Sequence, residues 1–218
     1  MPETIVRPYR SEDRDAVRRV CVATGYMGSP ITPQWRDAQS FADVFSGYYT
    51  DHEPESLLVA DRDGDVVGYL LGCRDTAATP NIVGAFARAA VTRGIAVRPG
   101  TARFVWRSVV DSLAATLRRD VPATKVLDPR WPAHLHINLL PEIRGHGTGA
   151  VLVRTWLERL TGTGVPGCHL ETLAENTEAI AFFSAMGFRA EGGSHPVPGL
   201  RAPDGSRHHT RLMVQPLH

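Results

Sequence analysis

The chain has 218 residues, 43% of them hydrophobic and 22% charged, with a formal net charge of +1. That is enough for one domain with a full core, and it offers nucleic acid or an acidic membrane surface little to hold. No apolar run approaches a membrane span, and the polar N-terminus enters a strand pattern at once instead of forming a signal peptide. Cys21, Cys73 and Cys168 are widely spaced among apolar neighbours, which reads as buried free thiols in a reducing cytoplasm.

In chain order, TIVRPYR reads as a first strand. Ser11 is placed to cap a helix in which Ala16, Val17, Val20, Cys21 and Thr24 repeat at helical spacing, and Gly25 stops it. A Gly/Pro-punctuated aromatic stretch follows, with a short helix expected around Gln39 to Tyr49. SLLVA and DVVGYLLGC flank Asp63-Gly64, the dipeptide that supplies the positive φ angles of a tight hairpin. Residues 76–130 carry two helical stripes separated by Pro99-Gly100. One runs through Ile82, Val83, Phe86, Ala87, Ala90 and Val91, the other through Phe104, Val105, Val109, Leu113, Thr116 and Leu117. The Pro-containing run VPATKVLDPRWPA then returns the chain to a strand, LHINLL. This is a helical insertion within the same domain.

The run RGHGTG, residues 144–149, lies between that strand and an amphipathic helix bearing Leu152, Trp156, Leu157 and Leu160. A glycine turn at a helix start points backbone N–H groups at one centre, where the helix also carries partial positive charge, so phosphate is the natural occupant. A nucleoside-triphosphate loop would need Lys then Ser or Thr after the last glycine, and Ala150-Val151 stand there. A dinucleotide fingerprint is matched by Gly145, Gly147 and Ala150, with Glu171 at the distance where a ribose-binding acid belongs. Against it, residues 141–144 separate strand from glycine, and too few βα units remain. Further on, CHLETLA reads as a strand, and Asn176 can cap the helix TEAIAFFSAM, with Ile180, Phe183 and Met186 inward. FRAE and TRLMVQ read as short final strands joined by a long loop, GGSHPVPGLRAPDGSRHH.

The segment Leu139–Gly149 resembles the coenzyme A loop of the GNAT N-acetyltransferase superfamily, R/Q-x-x-G-x-G/A after a strand, at Arg144, Gly147 and Gly149. The run LETLAENTEAIAFFSAMGF is similar to that family's strand, asparagine, helix and closing G-F, at Asn176, Ala179, Phe182, Gly187 and Phe188. The insertion followed by WPAHLHINLLPE, with IVRPYR and GYLLGCRD, further resembles bacterial acetyltransferases related to the C-terminal domain of animal O-GlcNAcases. The resemblance covers most of the chain outside residues 76–130. It implies a mixed α/β fold: a twisted, mostly antiparallel sheet splayed between its fourth and fifth strands, flanked by helices, in a single domain over 1–218.

The resemblance implies acetyl-CoA as co-substrate and an amine as acceptor, either a small molecule or a protein lysine, with no metal. Main chain near Leu139 would pair with the pantetheine arm. Arg144 belongs to the loop, and the N–H groups of Gly145, His146, Gly147, Thr148, Gly149 and Ala150 would hold the pyrophosphate. Asn176 would lie near the cofactor arm, or serve only as a helix cap. His134, His136 and Asn138 alternate on one face of their strand. His136 is the candidate base that frees the amine, and Asn138 the candidate for orienting the acceptor. The competing reading is that these polar residues satisfy one another structurally. Zinc at His134 and His136 lacks a third ligand at any recognisable spacing. Phe183 stands where many members carry a proton-donating tyrosine, so solvent, Tyr48, Tyr49 or Tyr69 would have to supply that proton. A non-catalytic acyl-CoA-binding module and a structural partner domain are the alternatives to a transferase.

Overall fold

The computed structural model describes residues 3–32, 34–118 and 125–217. Its centre is a seven-stranded sheet. The strands, in chain order, are β1 (Thr4–Pro8), β2 (Leu57–Arg62), β3 (Asp65–Cys73), β4 (Ala133–Leu139), β5 (Gly167–Leu173), β6 (Arg189–Arg201) and β7 (Arg207–Pro216). Their spatial order is β1-β2-β3-β4-β5-β7-β6. All neighbours are antiparallel except β4 and β5. That parallel pair is joined at Ala133↔Cys168 and His134↔His169 and no further. Beyond those residues the two strands part, which is the splay expected from the resemblance.

The helices are α1 (Arg14–Thr24), α2 (Ala38–Phe45), α3 (Gly47–His52), α4 (Ile82–Arg93), α5 (Ala102–Leu117), α6 (Thr148–Gly162) and α7 (Thr177–Ala185). Two apolar cores lie on opposite faces of the sheet. One joins Leu58, Leu70, Leu135 and Leu170 to α6 through Leu152, Trp156 and Leu160, and to Phe183 and Phe188. The other joins Leu57, Tyr69 and Leu71 to Val17 and Val20 of α1, and to Trp35 and Phe41. Trp156 is 1% exposed. Its ring passes so close to β3 that a Cβ at Gly72 would lie 2.6 Å from it, which is why glycine stands there.

Three local expectations need correction. Ser11 does not cap α1. Residues Ser11–Asp13 form a 3-10 turn, and the Asp13 carboxylate accepts from the Arg10 N–H (2.8 Å) and from Arg7 (2.7 Å). The helix expected over Gln39–Tyr49 is two, broken at Ser46, whose hydroxyl bonds back to the Ala42 carbonyl (2.7 Å). The long loop expected after FRAE is instead the hairpin of β6 and β7. It was obscured because Pro196, Pro198 and paired glycines break the alternation, and the ladder slips at Ala190/Ser194 and Pro196/Arg201. Prolines are tolerated there because β6 is an edge strand.

The insertion stripes are only partly inward. Phe86, Ala90, Phe104 and Val105 pack on the second core, whereas Val83, Val91, Val109, Leu113 and Leu117 are exposed. Trp35 gathers Phe41, Phe45, Phe86 and Phe104 around it with ring centroids 5.3–6.4 Å away. Asp111 of α5 ties the far end, accepting from Gly199 N (2.8 Å), Arg201 (2.8 Å) and Arg207 (3.1 Å). Of the run that returns the chain to β4, residues 121–124 lie outside the described residues.

Candidate active site

The splay brings the glycine run to the C-terminal end of β4. A single 3-10 turn, Pro141–Ile143, carries the chain from β4 to Gly145 (φ 77°) and Gly147 (φ 82°), and α6 begins at Thr148. Both glycines hold the left-handed conformation that other residues adopt at a cost. Among the described residues, none of the six backbone N–H groups from Gly145 to Ala150 has an acceptor; the first bond of the helix is Val151 N–H to the Gly147 carbonyl (3.1 Å). Free N–H groups over the start of a helix 15 residues long form a concentrated anion site. Gly149 is closely packed: a Cβ there would meet the Leu139 and Phe182 side chains at 3.3 Å.

Ladder alternation sets what faces the gap. Leu140 N–H bonds to the Val67 carbonyl (2.9 Å), so even-numbered β4 residues spend their main-chain groups on β3. The main-chain groups of Ile137 and the N–H of Leu139 therefore point into the splay as an unpaired strand edge that an extended amide-bearing arm can use, while the Leu139 carbonyl is taken by Arg144. Arg144 is exposed yet tethered. Its guanidinium donates to the Leu139 carbonyl (2.7 Å) and the Gly28 carbonyl (2.5 Å), which ties the loop after α1 to the glycine turn. Asn176 caps α7, its Oδ1 accepting from Ala179 N–H (3.2 Å).

The side chains of β4 sort themselves clearly. His134 is buried with both ring nitrogens engaged, by the Tyr49 hydroxyl (2.7 Å) and the Thr76 hydroxyl (2.7 Å). Asn138 donates through Nδ2 to the Thr24 hydroxyl (2.7 Å) and carbonyl (3.1 Å), fastening β4 to the end of α1. His136 stands between them with its ring 5.7 Å from Tyr49 and 5.5 Å from His134. Solvent reaches it, and it has no hydrogen-bond partner among the described residues. Surrounding protein and then His169 disfavour its charge, lowering its pKa to about 4. It is therefore neutral at pH 7 and a weak base.

Sequence reading missed His169, which the β4–β5 pairing places with its ring 5.5 Å from His134, its Nδ1 2.8 Å from the Trp131 carbonyl. The three imidazoles do not converge on a metal, because the nitrogens of His134 and Nδ1 of His169 are already engaged. Also missed was a strap over the splay. The Tyr26 hydroxyl, from the loop after α1, lies 2.8 Å from His208 Nε2 on β7, whose Nδ1 is 3.2 Å from Glu175. The signal available was the likeness of the two strands: His134-Leu-His136 in β4 matches His169-Leu-Glu171 in β5. Phe183 is buried against Phe182 and Phe188, with ring centroids at 5.1 and 5.7 Å. Tyr69 is buried, and Tyr49 is committed to His134, so of the proposed proton donors only Tyr48, near Glu53 (3.4 Å), is not fully enclosed.

The buried histidines have a thermodynamic consequence. Burial disfavours the charged form of His134 and, against opposing backbone hydrogen bonds, of His169. An unfolded histidine titrates near pH ~6.5, so below that the unfolded chain binds more protons than the folded one. Stability is thus full above about pH 6.5 and falls on acidification. Urea unfolding at pH 7.5, 6.5 and 5.5 measures it; an unchanged free energy across those values would contradict the assignment.

A profile of the Acetyltransferase (GNAT) family matches residues 106–188. Among solved structures, SsHAT is similar over 100% of both chains, at 30% identity and a TM-score of 0.70. A phosphinothricin acetyltransferase from Sinorhizobium meliloti, solved in complex with AcCoA, covers 98% of this chain and 88% of its own at 20% identity and TM-score 0.56. The ribosomal-protein-S18-alanine N-acetyltransferase of Escherichia coli covers 99% and 94%, at 15% identity and TM-score 0.55. The last two show likeness of fold.

Proposed function

The chain belongs to the acetyltransferase (GNAT) family, and from that premise we propose that it is an N-acetyltransferase delivering the acetyl group of acetyl-CoA directly to an amine, on a small molecule or a protein lysine. Bound acetyl-CoA supplies an activated acetyl thioester. The observation that carries the reading is the run of unpartnered N–H groups from Gly145 to Ala150 beside an unpaired β4 edge.

In this reading the N–H groups of Gly145, His146, Gly147, Thr148, Gly149 and Ala150 hold the pyrophosphate. Ile137 and Leu139 offer main-chain pairing to the pantetheine amides and one N–H to the developing oxyanion. Arg144 holds the loop after α1 over the site, and Asn176 fixes the start of α7 beside it. His136 faces the acceptor side as a neutral imidazole. With a pKa of about 4 it cannot by itself strip an ammonium of pKa ~10.4, so its base role needs a water relay or a stronger partner. Asn138 orients β4 more than it orients the acceptor, since its amide nitrogen is spent on Thr24. We also assign residues 76–130 to the same domain, because Phe86, Ile95 and Phe104 share the second core.

The kinship with acetyltransferases related to O-GlcNAcase remains part of this proposal, supported by the insertion and the β4 sequence. So does an intracellular setting, supported by three buried free thiols; no described helix is long and apolar enough to cross a membrane. Incubation with acetyl-CoA and a panel of primary amines tests the transferase reading. Acceptor-dependent release of CoA is expected, and its absence across polyamines, amino sugars and lysine peptides would count against it.

A further inference from the structure

The exposed apolar side chains of this protein are concentrated in one region. Among the described residues thirteen large ones are exposed, and ten of these lie between Ile82 and Leu127, in the helical insertion and its return run. Single exposed apolar residues need no explanation, but a contiguous set does. On α5 the set has a pattern. Trp106, Val110, Leu113 and Leu117 follow one another at intervals of four, three and four residues, the spacing of a coiled-coil seam. At the helical repeat they share about 60° of the circumference. Phe104, Ser108 and Asp111, which pack on the second core and on β6, lie on the opposite side. Trp106 is held in place on the seam, its Nε1 donating to the Ala96 carbonyl (3.1 Å). Among the described residues nothing covers this face.

Charge along the seam is one-sided. Arg103 and Arg107 flank one edge, one turn apart, and Arg118 follows on that edge at the far end. The other edge, through Ala102, Val109 and Thr116, is uncharged. Among the described residues the guanidinium groups of Arg103 and Arg107 have neither an ion pair nor a hydrogen bond. Asp111, the one carboxylate of α5, is spent on the Gly199 N–H, Arg201 and Arg207. Both arginines are unfavourable to their own helix. Like charges four apart repel, and the first turns of a helix carry partial positive charge. No acidic residue stands in that first turn. Surrounding protein, then Arg103 and Arg201, disfavour the Arg107 charge, against Asp111. Carboxylates supplied from outside would relieve this.

From the seam and its charged edge together, we propose that α5 docks an amphipathic helix of a partner protein. The apolar side of that helix lies on Trp106, Val110, Leu113 and Leu117, and a row of Asp or Glu runs along Arg103 and Arg107.

A second copy of α5 fits this face poorly. Antiparallel, it brings Arg107 beside the Arg118 of the other copy; parallel, it sets each arginine level with its own duplicate. An acidic bilayer draws cations around a broad apolar face, whereas this seam is narrow and charged on one edge only. The surface shares no residue with the glycine cradle, and the proposal does not depend on the transferase reading.

Trp106 reports occupancy, because the other three tryptophans are at most 5% exposed. The test titrates the protein with two helical peptides. They share a leucine seam of four-three-four spacing and differ only along one edge, glutamate in the first and lysine in the second. A blue shift of Trp106 emission is expected with the glutamate peptide, at an affinity at least tenfold that of the lysine peptide. The preference should shrink as salt is raised. Val110→Glu should abolish binding, and Arg103→Glu combined with Arg107→Glu should reverse the preference. Circular dichroism and thermal unfolding of each variant should match wild type, which separates loss of the seam from misfolding. Equal affinity for the two peptides, no response to either, or a glutamate preference that survives the double arginine exchange would overturn the proposal. Concentration-dependent dimerisation that buries Trp106 would overturn it in favour of a second copy. A shift with phosphatidylserine vesicles and with neither peptide would do so in favour of a bilayer.

Discussion

The Gly147→Val variant is expected to lose about 100-fold or more in acetyl-CoA affinity while remaining folded. Gly147 sits at φ 82° immediately before α6, with nothing within 4 Å of where a Cβ would stand. Packing therefore does not oppose valine, but backbone conformation does: a β-branched residue held there costs on the order of 1–3 kcal/mol and relaxes toward negative φ. That rotation turns the N–H groups of Gly147 and Thr148 away from their common centre. Hydrogen bonds to a charged group contribute about 1.5–3 kcal/mol each, so losing two corresponds to a factor of roughly 10²–10⁴. Calorimetric titration with acetyl-CoA measures this directly. Affinity within threefold of wild type would show that the glycine run is a turn and nothing more.

The largest stability loss is expected from Trp156→Ala. Trp156 lies at the middle of α6, enclosed between Gly72 of β3 and the α6 core residues Leu152 and Leu160. Removing a buried aromatic leaves a cavity that the close-packed sheet cannot fill, at a cost of about 3–5 kcal/mol. For a chain of this length that is a drop of roughly 6–20 °C in Tm. Trp106, on α5 and 58% exposed, provides the internal comparison. Trp106→Ala should change stability by no more than ~0.5 kcal/mol. Similar losses for the two tryptophans, read by thermal and urea unfolding, would contradict the described packing.

The parts of this fold that were legible in the sequence are those where local chemistry and tertiary structure agree. Asp63-Gly64 forms the hairpin turn with both residues at positive φ. Leu152, Trp156, Leu157 and Leu160 are all buried, and Asn176 caps its helix. The glycine run lies at the expected junction of strand and helix. What was not legible depended on partners distant in the chain. Ser11 lost its expected role because Arg7 and Asp61 organise Asp13 through contacts up to 54 residues apart. The β6–β7 hairpin was hidden because an edge strand tolerates Pro196 and Pro198, residues that would end an interior strand. The insertion stripes marked two helices, which form, but an apolar period does not name what it packs on, and Val91 and Leu117 are exposed.

The site divides in the same way. The proposed anion cradle is a local feature of six consecutive residues, so its candidate residues are visible in the chain. The proposed acceptor side is assembled from β4, β5, the loop after α1 and the β6–β7 hairpin. No spacing rule connects Tyr26 to His208 or His134 to His169. The alternation HLH in one strand and HLE in the other was visible, but its meaning required knowing that these strands are parallel neighbours that separate two residues later.

The central claim is that acetyl-CoA lies along the β4 edge with its pyrophosphate on the start of α6. Amide chemical-shift mapping during titration with acetyl-CoA tests it most directly. Saturable shifts are predicted for the amides of Gly145 through Ala150 together with Ile137 and Leu139, and not for those of the outer face of α5. Shifts confined to other surfaces, or none at saturating acetyl-CoA, would contradict it.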